Sequence, residues 1–237
     1  MVMYGSMSLP LALQPIPYVT AVVVALTLPR QRSRRFTQSA PTMIWELTKT
    51  MLRKPKARWT LLFFAVHFAV ALSSFWILQL QLEGAGWQVK DYGVFYLSVF
   101  TLTIGLSWIT ASLLRRGTAY QRWVFWGLSC LCTTLAGVAE SSIAPWLAAT
   151  TYSLNAALAA PMVRYQLRAM SDDNKLPTTE LSVASACSLL VFALLGPIVG
   201  KIASALSTKA ANLTMSLVLV VFGGGSLLLL RRASQEK

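Results

Sequence analysis

His67, Ser74 and Gln81 recur at seven-residue steps inside an otherwise apolar run. Such steps drift only about 20° per heptad on a straight helix, so the three share one face, with Ala71 on the same stripe. His67 stands eight residues beyond Trp59, a depth of about 12 Å at 1.5 Å per residue and close to the middle of a bilayer. Polar groups inside a membrane span mark substrate, ion or proton sites, and imidazole is the side chain whose unperturbed pKa lies near physiological pH. Two readings fit the stripe. One is a cavity wall that binds a polar substrate, with His67 carrying a proton. The other is a packing seam in which small residues allow close approach and His67 bonds to a neighbouring helix.

Other residues could join such a site. Gln79 lies about 120° from the stripe by helix geometry, and Trp76 stands between them in sequence. Thr151 and Asn155 are four residues apart and so share a face; Asn155, near mid-span, can bind substrate or bond across helices. Gly196 and Gly200 form a small-xxx-small pair around Pro197, a pattern for close helix packing or bending, and Gly223-Gly224-Gly225 weakens the last apolar run. Glu140 falls at the outer end of a span, and no carboxylate lies deep in any. A nucleophile with a base, a carboxylate pair or a phosphate-cradling loop cannot be assembled, which argues against an enzyme. With one His and no metal-ligand spacing, neither a metal nor another cofactor is expected. Cys130, Cys132 and Cys187 read as small apolar fillers rather than a disulfide framework.

The elements that must position these residues are long apolar runs at 8–28, 59–82, 92–114, 123–139, 143–163, 181–203 and 211–230. Hydrophobic residues make up 55% of the chain and charged residues 12%, against about a quarter charged in an average soluble chain. A bilayer core about 30 Å thick takes about 20 apolar residues per helix. Only helices and closed barrels span it, and without period-two alternation these runs are helices. The expected fold is therefore all-α: a polytopic bundle of about seven transmembrane helices. Residues 1–29 form the first span rather than a cleaved leader, since no positive segment precedes the apolar run. Residues 30–58 form a basic loop in which Met43, Ile44, Leu47, Met51 and Leu52 make one apolar helical face, so a short helix lies on the membrane surface. Residues 59–237 form a six-helix bundle.

Charge sets the orientation. The connection 30–58 holds nine of the 21 Lys and Arg residues. Arg115, Arg116 and Arg122 fall on the same side, as do Arg164, Arg168 and Lys175, then Arg231, Arg232 and Lys237. The opposite side has Lys90 and Lys209, with Lys201 nearby. By the positive-inside rule the basic side is cytoplasmic, the N-terminus outside and the C-terminus inside, in a plasma (inner) membrane. The net charge of +13 thus serves topology and anionic headgroups; no nucleic-acid partner is expected.

Three segments resemble the C-terminal half of a major facilitator superfamily transporter. Trp76-Ile-Leu-Gln79-Leu-Gln81-Leu-Glu-Gly-Ala-Gly86 is similar to the exit of that family's seventh helix. Leu113-Leu-Arg115-Arg116-Gly117-Thr118 is similar to the second copy of its Gly- and Arg-rich cytoplasmic loop, and Leu194-Leu-Gly196-Pro197-Ile-Val-Gly200 to its eleventh helix. The resemblance covers nearly the whole chain, as helices six to twelve with the long central loop at 30–58. Leu114 replaces the acidic residue usual before the Arg pair. The resemblance implies alternating-access transport of a small solute or drug, with His67, Ser74, Gln81, Gln79 and Asn155 facing substrate and Arg115, Arg116 and Gly117 in gating or topology. It also implies a partial or truncated transporter that needs an N-terminal half or a homodimer partner. The alternatives are a non-transporting truncated or accessory membrane protein and a seven-helix receptor. The last fits poorly, since 211–230 contains no retinal-type Lys and the long 30–58 connection is unusual there.

Overall fold

The computed structural model describes residues 40–115, 119–140, 142–170 and 177–235. The expected span 8–28 and the basic cluster 30–35 lie outside these residues. Every regular element among the described residues is helical. Helix α1 is Ala40–Arg53, α2 Pro55–Gly84, α3 Tyr92–Arg115, α4 Ala119–Val138, α5 Ala144–Met170 and α6 Pro177–Ala205. The last helix, α7, is Thr208–Gln235, interrupted by a wide π turn at Leu219–Gly224. Pro55 opens α2 at its first position, where its missing N–H costs nothing. Gly86, at φ +78°, lets the chain leave α2 through the left-handed region that only glycine enters freely. Ser207 caps α7, its Oγ accepting from the Ala210 N–H at 3.1 Å, which satisfies one orphan donor of the first turn.

Among the described residues, four helices are long and apolar enough to cross a membrane: Pro55–Gly84, Val89–Leu113, Ser182–Ala205 and Thr208–Gln235. The expected spans 123–139 and 143–163 form α4 and α5. Their Thr, Ser and Asn side chains, with Gln121 and Arg122 on α4, leave these two helices more polar than the four.

Helix α2 is the centre. Its most apolar stretch is 72% buried, against 17% for α3, as expected for a helix apolar all round. It packs on α5, α6 and α7, while α5 also packs on α3 and α4. Exchanging α2 with α5, α3 with α6 and α4 with α7 leaves the main pairings unchanged: α2–α6 becomes α5–α3, α2–α7 becomes α5–α4, and α2–α5 and α4–α7 map onto themselves. The contacts of α6 with α5 and α7 are closer than their equivalents around α3, where Phe75 of α2 meets Tyr96 and Phe100 of α3 through their rings. Helices α2 and α5 run antiparallel, since Phe63 clusters with Leu154 and Leu158 while Leu78 and Leu82 cluster with Ala148 and Ala149.

Helix α1 falls inside the expected 30–58 connection. Its Met51 packs with Ala57 and Leu61 of α2 and Val183 and Ala184 of α6, and Trp45 is exposed.

Candidate functional site

A polar core sits where α2, α4, α5 and α7 meet. His67 is fully buried, and its Nδ1 lies 2.5 Å from Asn155 Oδ1. The amide oxygen only accepts, so Nδ1 carries the proton and Nε2 is left as an acceptor. Asn155 is fixed in turn, its Nδ2 donating to the Thr151 carbonyl at 2.7 Å. Thr151 Oγ1 lies 3.4 Å from Thr133 Oγ1, whose proton goes to the Ser129 carbonyl at 2.6 Å, and this approach extends the polar contacts to α4. His67 Nε2 has no protein partner, and its ring lies 4.2 Å from that of Phe63.

The other wall is the π turn of α7. Trp126 on α4 donates from its indole to the Leu219 carbonyl at 2.8 Å, and Ser226 Oγ donates to the Gly223 carbonyl at 2.7 Å. These bonds take up backbone oxygens that an irregular helix leaves over. A Cβ on Gly223 would lie 3.2 Å from the Trp126 ring and 3.6 Å from His67 Nε2, and one on Gly224 would lie 2.8 Å from Trp126 Cζ2. The two glycines are therefore where α7 passes under the indole. Nearby, Thr134 and Ser216 hydroxyls pair at 2.6 Å, and Asn212 donates to the Ala136 carbonyl at 3.2 Å.

A separate groove of about 350 Å³ opens between α2 and α6, lined by Ser73, Trp76, Ile77, Phe192, Ala193, Gly196, Pro197, Val199 and Gly200. Ser73 is buried with no partner for its hydroxyl. The Ser73 hydroxyl is turned away from accessible space, so the groove wall is almost wholly apolar.

The predicted residues thus divide. His67, Ser74 and Gln81 are all buried and lie on the packed side of α2. His67 meets Asn155, Ser74 Oγ donates to Met215 Sδ at 3.7 Å, and both polar ends of Gln81 lack partners. Gln79 is exposed on another side of α2. Gly196, Pro197 and Gly200 line the groove, and a Cβ on Gly200 would meet nothing within 4 Å. Arg115 ends α3; Arg116 and Gly117 lie outside the described residues. Trp126 and Ser73 were not singled out by sequence, since nothing local separates them from other span residues. Among the described residues no three His, Cys, Asp or Glu side chains gather as a metal site would need. No protein-family model, curated protein or solved structure matches the chain.

Proposed function

We propose that this chain is a membrane-embedded transport bundle of the major facilitator type, equivalent to that family's C-terminal half. The observation that carries the reading is the three-plus-three packing, with α2–α4 exchangeable for α5–α7 and α2 antiparallel to α5. Inverted three-helix repeats nested in each six-helix half are how such transporters are built. In this reading all six helices from α2 to α7 span the bilayer, and α1 lies on its cytoplasmic surface. The basic loops are placed on the cytoplasmic side of a plasma membrane, and their Lys and Arg bias supports that orientation.

A second bundle, from a partner or a second copy, completes the translocation path. The His67–Asn155 pair pins the two central helices, and the groove at Ser73 and Trp76 faces substrate. The solute is small and largely apolar, since no charged side chain lines that groove. The two bundles rock around the shared site to give alternating access.

Side-specific labelling tests this. In a variant with Cys130, Cys132 and Cys187 replaced, Trp76→Cys, at the exposed groove-lining position, should react with a membrane-impermeant thiol reagent from either face when the second bundle is present. Reaction from one face only would contradict alternating access at this groove.

A second reading, an accessory membrane protein without transport, has one observation in its favour: the His67, Ser74 and Asn155 side chains are used in packing rather than facing an open cavity. Protection of Trp76→Cys by a transported solute would exclude it.

A further inference from the structure

A second cavity, of about 420 Å³, lies where the first turn of α4 meets the last turns of α7. Arg122 and Trp123 line it from α4, and Leu227, Leu230 and Arg231 from α7. Two guanidinium groups from different helices therefore face one space, and among the described residues no carboxylate lines it. Arg122 is partly buried, and a buried cation without an anion is costly, so the arrangement calls for a counter-charge. Ser234 and Gln235 add polar groups to the wall, and Trp123, Leu227 and Leu230 give it an apolar part; Trp123 stands edge-on to Trp126 at 5.6 Å. The volume would take roughly fourteen waters at about 30 Å³ each, far more than a bare phosphate ion fills.

We propose that this cavity binds an anionic phospholipid, its phosphate on Arg122 and Arg231 and the upper part of its acyl chains against Leu227, Leu230 and Trp123. A ligand with a charged head joined to an apolar stem is the one that uses both parts of the wall. Basic pockets between membrane helices on the cytoplasmic side take such headgroups. The inference needs only that the bundle is embedded in a bilayer; it does not depend on transport.

Native mass spectrometry of the purified chain, with phosphatidylglycerol or phosphatidylcholine added, tests it. The expected result is one retained phosphatidylglycerol per chain. Arg122→Gln with Arg231→Gln should weaken its retention about 30-fold, roughly fivefold per arginine. Lys90→Gln with Lys209→Gln, at the opposite ends of the helices, should change nothing. If the double variant does not fold, Arg231→Gln alone must still lose about fivefold, since Arg231 is exposed and its replacement leaves packing intact. Equal retention of the two lipids, or a preference that survives loss of both arginines, would overturn the proposal. So would inorganic phosphate protecting the lipid-free chain against heat as well as phosphatidylglycerol does, because the ligand would then be a soluble anion.

Discussion

Removing one partner of the His67–Asn155 pair should cost more than removing both. Asn155→Leu keeps a similar volume but leaves the His67 Nδ1–H unpaired in a fully buried position, where an orphaned donor costs about 1–3 kcal/mol. His67→Phe keeps the ring beside Phe63 but orphans Asn155 Oδ1, while Asn155 Nδ2 still bonds the Thr151 carbonyl. The double variant removes both polar ends and should sit close to the wild type. Within a bilayer the unfolded helices also find partners, which holds interhelical bonds to about 0.6 kcal/mol on average and about 1.7 at most. The expected coupling is therefore about 1 kcal/mol, larger than the roughly 0.3–0.5 kcal/mol within which independent sites add. Reversible unfolding in mixed micelles, followed by helical circular dichroism for the four members of the cycle, measures it. Single effects that simply add would refute the pairing and with it the pinning of α2 to α5.

Other perturbations follow from the same packing. Gly224→Ala places a methyl group against Trp126 Cζ2 at 2.8 Å and should lose about 1–3 kcal/mol in the same unfolding assay, the usual cost of overpacking. Gly200→Ala meets nothing within 4 Å and should leave stability unchanged or raise it by up to about 1 kcal/mol through helix propensity. Gln81→Leu removes two buried, unpartnered polar atoms and should raise the unfolding free energy by about 1 kcal/mol; a loss would mean that Gln81 has a partner in the membrane.

How much of this was legible in the sequence depended on how far each signal reached. Helices α2, α3, α6 and α7 announce themselves as apolar runs long enough to cross a membrane, while α4 and α5 show as more polar runs of the same kind. The seven-residue spacing correctly puts His67, Ser74 and Gln81 on one face. Which way that face points is not written in α2, because the helix is apolar all round. Ser73, rather than Ser74 one step of about 100° away, lines the groove. The partner of His67 lies 88 residues away, and no local pattern marks Asn155 as its acceptor. The π turn is similar: Gly223 and Gly224 read as weak helix, and their need for space appears only once Trp126 lies across them. The exchange symmetry of the helices is nearly silent in sequence, because packing of apolar side chains tolerates wide substitution.

The most direct test of the central claim is solute flux. Proteoliposomes carrying this chain together with a candidate six-helix partner should accumulate or expel a small apolar solute, slowed by Trp76→Ala at the groove, while empty liposomes show only passive leak. Flux no faster than leak, with this chain alone and with the partner, across a panel of such solutes, would contradict the transport reading.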